Sequence, residues 1–456
     1  MLHRMRWSLL LAIPPLSACI HYHPKPIDPV QLQVEYEERS LAVPGLRAYL
    51  EANMASKFSE WPPSSLDLET LTLIGFYFNP ELDVARAKVG IAEAGQITAG
   101  ARPIPAVFAG GGYTNLMASP LLLKFALDLP IETAHKRGLR IERAGNLTEA
   151  AQLELAETAW RIRSRIRAAL LQYLFRGEEL IILRSERDLR GMKVTLMEAR
   201  LKAGEVSRPE VEFTREELAA AREIFLAVES NLTQSRTELA EALGLPVTAL
   251  DKTWLSWAGF QNPPDEKSIS ELTVQRAGLL NRLDLRRTLA EYAAIEKSLQ
   301  LEIAKQYPDI VLSPGYSFDD AANKYVLGLS VSLPMFAQKG PIAEAEAHRQ
   351  EASARFLALQ AAVMSQTAKA WTEYRGSLGE LREARVGASS AENLETAARH
   401  KLERGETDRL VLTEASIRLM ARRIRLDAVR KAQVALGALE EAVQRPLEPA
   451  SGLRIA

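Results

Sequence analysis

The chain of 456 residues contains one cysteine, Cys19, so the folded protein has no internal disulfide and no thiol pair for redox chemistry. It lacks an excess of charge of either sign: 57 Lys and Arg stand against 58 Asp and Glu, a formal net charge of −1. That balance gives no basis for a polyanion partner such as nucleic acid. Beyond the N-terminus there is no run of about 18 apolar residues, so no transmembrane helix is expected. The six histidines (His3, His21, His23, His135, His348 and His400) are scattered along the chain. No phosphate-binding glycine loop, zinc spacing or nucleophile elbow accompanies them, so neither an enzyme nor a metal or cofactor site is expected. What remains is 47% hydrophobic and 25% charged, the composition of a folded chain.

The stretch from Val326 to Pro334 gives that chain its organisation. Leu327, Leu329, Val331 and Leu333 alternate with Gly328, Ser330 and Ser332, the period of a strand with one apolar face. Far upstream, Leu123, Phe125, Leu127 and Leu129 alternate with Lys124, Ala126 and Asp128 and also end in proline, Pro130. Most of the chain around them reads as helix.

The N-terminus carries His3, Arg4 and Arg6, then an apolar stretch from Trp7 to Leu16, then small residues before Cys19. This is the pattern of a secretory signal over 1–18. Leu16-Ser17-Ala18-Cys19 also resembles a bacterial lipobox, which implies a lipid (palmitate-bearing) anchor on Cys19; Ile20 in the next position resembles a pass to the outer membrane. Residues 19–65, with His21-Tyr22-His23-Pro24-Lys25-Pro26, read as a proline-rich tether. His21 and His23 supply too few fixed ligands for a metal.

Taken in order, Leu66 to about Arg102 reads helical, with a turn or helix start at Asn79-Pro80. Strand-length segments follow near 104–114 and 122–130. Ile131 to about Ala203 has no proline and abundant Ala, Leu, Glu and Arg, which predicts about 100 Å of helix. Gly204 stops it, and Ser207-Arg208-Pro209-Glu210 reads as a capping box opening the next helix, to Leu243. After a connector over 247–268 the programme repeats in 269–445, with strands near 307–319 and 324–334 and a helical hairpin over about 338–442. Pro105 and Gly112-Tyr113 match Pro308 and Gly315-Tyr316; Leu201-Lys202-Ala203-Gly204-Glu205 matches Leu402-Glu403-Arg404-Gly405-Glu406. The common order and spacing predict a tandem duplication of 66–246, with 446–456 as a tail.

Ile310, Leu312, Pro314, Tyr316 and Phe318 share one strand face, and Ser313, Gly315, Ser317 and Asp319 the other. Ten-residue strands with an apolar outer face suit a tilted crossing of a bilayer. Four strands leave two open edges, which hydrocarbon does not tolerate, so oligomerisation is expected. The tandem hairpins, Leu333-Pro334-Met335-Phe336 with Lys339-Gly340-Pro341-Ile342-Ala343-Glu344-Ala345, and the two Leu-x-x-Gly-Glu turns resemble the TolC-like outer-membrane efflux channels. Pro130-Ile131 with Lys136-Arg137 resembles the lipoprotein members of heavy-metal and drug pumps. The resemblance implies a mainly α fold with a small β part. It implies a homotrimer with a twelve-strand barrel in the outer-membrane lipids and an α-helical periplasmic tunnel. Its partners would be a periplasmic adaptor and an inner-membrane transporter of the RND type.

The resemblance also assigns sites. The turns at Gly204-Glu205 and Gly405-Glu406 correspond to the adaptor-contacting tips, although a left-handed glycine that merely ends a helix explains both glycines as well. Asp408, Val411 and Glu414 match the region where relatives carry acidic pore rings; Val411 departs from the acidic pattern, and a solvated helix face is the competing reading of Glu414. Lys124 and Asp128 fall on the face expected to line the barrel. Arg161, Arg163, Arg165 and Arg167 read as a solvated basic face with Glu154 and Glu157 as partners. Two other functions compete with an efflux duct: the outer-membrane channel of a type I protein secretion system, and a periplasmic coiled-coil scaffold lipoprotein without a pore. The alternating strands argue against the scaffold, where they would be exposed to aggregation.

Overall fold

The computed structural model describes residues 22–54, 58–113, 115, 121–251, 253–266, 269–319, 322–333, 338–418 and 422–447. It divides into two units, Met1–Arg39 and Ser40–Ala456. Cys19, residues 116–120 and Pro334-Met335-Phe336 lie outside the described residues.

The stretch expected to be a tether holds two helices. In the first unit, α1 (Pro29–Glu37) begins where the Asp28 carboxylate accepts from the N–H groups of Val30 and Gln31 at 3.0 and 3.3 Å. In the second unit, α2 (Pro44–Asn53) sends Leu46 and Leu50, both fully buried, into the main core. Each buried leucine contributes about 2 kcal/mol. Two prolines of this stretch, Pro29 and Pro44, stand at the first helical positions, where a missing N–H costs nothing, while Pro24 and Pro26 precede α1.

The main unit continues with β1 (Ser65–Leu66), α3 (Leu68–Phe78) and α4 (Pro80–Ala99). Asp67 caps α3 and Asn79 caps α4 with side-chain acceptors. Then come β2 (Ala106–Tyr113), β3 (Leu121–Ile131), α5 (Lys136–Lys202) and α6 (Arg208–Leu243). The connector contributes β4 (Trp254–Leu255), which pairs in parallel with β1. The second half holds α7 (Glu271–Asn281), α8 (Leu283–Ala304), β5 (Ile310–Asp319), β6 (Ala322–Val331) and α9 (Lys339–Glu403). Its return leg is described as α10 (Arg409–Arg418) and α11 (Arg422–Val443). At 67 and 65 residues, α5 and α9 are each about 100 Å long. Among the described residues no helix is long and apolar enough to cross a membrane.

One boundary differs from the sequence reading. Helix was expected from Ile131, but β3 runs through Pro130 to Ile131, which pairs with Ile310, and α5 starts only at Lys136. Between them Ala134 and His135 take left-handed φ values of 52° and 58°. The turn is tied to the start of β5: Thr133 N–H donates to Asp309 at 2.9 Å and its hydroxyl donates to the Pro308 carbonyl at 2.6 Å. Those links join parts of the chain far apart in sequence, so local propensity could not reveal them.

The four long strands form one antiparallel sheet in the order β2-β3-β5-β6. Below it the helices pack in rows. Toward the sheet, α4 packs on α5, α5 on α8, and α8 on α9; toward the far turns, α6 packs on α5, α5 on α11, and α11 on α9. The outer members on one flank are therefore β2, α4 and α6, and on the other β6 and α9. The main core lies between, around Leu71, Ile74, Ile162, Ile166, Leu239 and Tyr374.

Candidate pore and helical tips

The register of the sheet puts like with like. Phe125 pairs with Ala109 and Tyr316, Tyr316 pairs with Tyr325, and Leu312 lies between Leu129 and Leu329. This face also carries Val107, Leu127 and Leu327, and it is bare: Val107 is 77%, Leu327 74% and Tyr325 84% exposed. A soluble monomer rarely shows so continuous an apolar surface. The opposite face holds Lys124 and Asp128 beside Gly110, Ser313, Gly315 and Ser317. Asp128 accepts from the Ser313 hydroxyl at 2.5 Å, and at the sheet's end Lys324 meets Asp319 at 2.9 Å. One face is thus largely apolar, while the other is mixed, its polar and small residues standing beside Phe108 and Val326.

Where sheet meets helix, charge braces the junction. Lys136 is buried; its ammonium donates to the Tyr307 carbonyl at 2.7 Å and to Asp309 at 2.8 Å. Partial burial opposes the charge of Asp309, but Lys136 and the Thr133 N–H outweigh it and hold the carboxyl below the usual aspartate range. Arg140 clasps Glu132 with both guanidinium nitrogens, and Arg137 donates to the Gly100 carbonyl at 2.7 Å.

At the far end of α5 and α9 the two turns share one backbone solution. Gly204 and Gly405 have φ of 78° and 73°. Each donates its N–H two residues before the cap (to Leu201 and Leu402, both 3.0 Å), while Glu205 and Glu406 donate to Arg200 and Lys401 at 2.9 Å. This pattern satisfies the last carbonyls of a helix and requires the left-handed residue. A Cβ on either glycine would meet nothing within 4 Å, so the constraint is backbone conformation alone.

The returning helices start differently. At the first turn, the Ser207 N–H and hydroxyl both donate to Glu210, at 2.6 and 2.7 Å, and hold its carboxyl below the usual range. At the second, Asp408 accepts from the Val411 N–H at 3.0 Å and is also ion-paired to Arg200 on α5. Glu414, two turns into the helix, lies 3.7 Å from Lys193 of α5, which also holds Glu217 at 3.2 Å. Thr413 between them is buried against Met192, and Val411 is exposed. The sequence reading named Asp408, Val411 and Glu414 but neither cation; the one signal available was that Lys193 and Arg200 stand a heptad apart on α5.

The arginine cluster at 161, 163, 165 and 167 of α5 corrects an expectation. Arg161 and Arg165 are solvated and meet Glu81 at 3.5 and 2.7 Å, but Arg163 and Arg167 are only 9% and 5% exposed. Arg163 reaches the buried Glu440 at 3.3 Å; Arg167 reaches Glu440 at 3.5 Å and the Gln433 carbonyl and side-chain oxygens at 2.9 and 2.8 Å. The proposed partners serve elsewhere, Glu154 with Lys88 and Glu157 with Arg287. Alternate residues on a helix point to different sides, and here one side meets α11.

With this geometry, solved structures of similar fold can be compared. The outer membrane protein VceC of Vibrio cholerae superposes with a TM-score of 0.66 at 19% identity, covering 84% of this chain and 97% of that one. The outer membrane channel MtrE of Neisseria gonorrhoeae, in its open state, gives 0.64 at 15% identity, covering 83% and 89%. This chain has the fold of these outer-membrane channels. No family model matches it. The cobalt-zinc-cadmium resistance protein CzcC of Cupriavidus metallidurans is 25% identical over 213 residues, a match spanning 46% of this chain and 49% of that relative. Among the described residues, no cluster of three or more His, Cys, Asp or Glu side chains could hold a metal ion.

Proposed function

We propose that three copies of this chain close into the exit duct of a tripartite efflux pump in the outer membrane of a Gram-negative bacterium. The observation that carries this reading is the pair of unpaired flanks. β2, α4 and α6 lie on one side and β6 and α9 on the other, so the second flank of one copy can meet the first flank of the next. A head-to-tail contact of this kind closes into a ring when the rotation allows. Three copies would give a twelve-strand barrel, past the eight strands of the smallest membrane barrels. Exposed apolar side chains on these helices, Phe213 and Leu226 on α6 and Leu357 and Val386 on α9, suit such a seam.

In this reading the chain is a tandem duplication that acts as a passive conduit. The apolar sheet face meets lipid, and Lys124 and Asp128 line the lumen. Gly204-Glu205 and Gly405-Glu406 meet a periplasmic adaptor that links the duct to an inner-membrane transporter of the RND type. Asp408, Val411 and Glu414 surround the narrow end, and a lipid on Cys19 anchors each copy. The partial match to CzcC supports metal ions as cargo, alongside small molecules.

The test is extraction and reconstitution of the full chain. A trimer that requires detergent and conducts ions in a planar bilayer is expected. A water-soluble monomer without conductance would return the chain to the class of periplasmic scaffolds.

A further inference from the structure

Three copies of Glu414 around one axis would by themselves make a cation filter. The surroundings of Glu414 argue otherwise. The Lys193 ammonium is 3.7 Å from its carboxylate and is only 17% exposed, so solvent screens it poorly. Glu217 shares that ammonium at 3.2 Å, and Arg190, whose nearer partner is Glu186 at 2.8 Å, lies 3.6 Å from Glu217, so Lys193 offsets Glu414 only in part. A second cation stands one helical turn further along α10: Arg418, exposed and four residues after Glu414. An acid followed by a base at this spacing shares one helix face. Asp408, the acid that caps α10, is paired with Arg200, which also lies 3.8 Å from Glu205. Each acidic group of α10 and its cap is thus matched by a cation.

We propose that Lys193 and Arg418 cancel the charge of the Glu414 ring, so that the constriction sorts cargo by size and not by the sign of its charge. The inference rests on Glu414 lining the pore, and the experiment separates the two claims. Reversal potentials are measured across a planar bilayer under a KCl gradient for the full-chain trimer. Wild type is expected to pass K+ and Cl− within about threefold of each other, and Lys193→Gln with Arg418→Gln to favour K+ by about tenfold, since a bare acidic ring selects cations. Loss of that preference on adding Glu414→Gln assigns it to the ring. A wild type that already selects K+ through Glu414 overturns the proposal and leaves the pore reading standing. No effect of Glu414→Gln in any background removes both.

Equilibrium dialysis of the detergent-solubilised trimer against terbium(III) gives a second measurement that does not depend on an open pore. One Glu414-dependent ion per trimer is expected in the double variant and none in wild type; the reverse pattern overturns the proposal. Should the double variant fail to form trimers, Arg418→Gln alone, at an exposed position, is expected to shift the reversal potential the same way by a smaller step. No shift there would equally overturn it.

Discussion

At mid-body, α5 reaches α11 through Arg163 and Arg167; at the tip it reaches α10 through Lys193 and Arg200. Both ties join the first half of the chain to the second by charge, but they sit in different media. Glu440 at mid-body is 3% exposed, and its oxygens are also engaged by the Leu447 N–H at 2.9 Å. Gln433 is fixed in turn by the Phe260 carbonyl, and Phe260 lies beneath the Arg167 guanidinium. The tip carboxylates, Asp408 and Glu414, are about half exposed, at 49% and 45%. Buried charge is costly to strand, while exposed pairs contribute little. The contrast describes a body locked at its middle and held loosely at its end.

Substitutions at the two ties and at the turns test that contrast. The largest effect is expected from Arg167→Met, which leaves the Gln433 side-chain oxygen and part of Glu440 without a partner at a cost of about 3 kcal/mol. A lower midpoint of thermal unfolding, followed by circular dichroism, would show it; a midpoint equal to wild type would erase the distinction between the two ties. Gly405→Ala comes next, at about 1–2 kcal/mol for a left-handed residue, with the same penalty at Gly204 because neither site is crowded. Unequal losses would mean that the two turns differ in more than their caps.

At the tip, Arg200→Ala is expected to cost less than about 1 kcal/mol. Asp408→Ala should exceed it by about 1 kcal/mol because the helix cap is lost as well. Asp408→Asn, which keeps the cap, should fall back to the Arg200→Ala value. Equal effects of Ala and Asn at 408 would show that the cap contributes nothing.

The smallest effect is one of pH. The carboxyl of Asp309 is held below its ordinary value, so its contribution is fully present above the unfolded pKa of about 4 and is lost as pH falls through the lower folded value. The stability gap between wild type and Asp309→Asn should therefore be constant near neutrality and close in acid. A gap that persists in acid would assign the junction to Thr133 and packing instead of charge.

The fold was legible wherever a short-range rule governs it. Period-two alternation marked β3 and β5 and sorted Tyr316 from Ser317, because a strand turns each neighbour to the opposite side. Gly204 and Gly405 marked the turns because few residues take a positive φ cheaply. Legibility failed where a residue's role is set by a segment far along the chain. Arg163 and Arg165 look alike in sequence, and only α11 makes one buried and the other not. Asp408 was visible as a charge near a turn, but Arg200, which neutralises it, was not. The start of α5 was missed for the same reason, since Lys136 is held by Tyr307 and Asp309.

The strand order has a consequence for biosynthesis. β3 lies beside β5, and the contact between Asp128 and Ser313 joins residues 185 positions apart. The helical hairpins close locally and can form as the chain emerges, whereas this sheet must wait until most of both halves exist. Until then β2 and β3 are a lone greasy hairpin with an unpaired edge, the kind of segment that aggregates. The last structure to form is therefore the one least able to wait in water, so the yield of correctly assembled protein should depend on how soon β5 reaches β3 after synthesis.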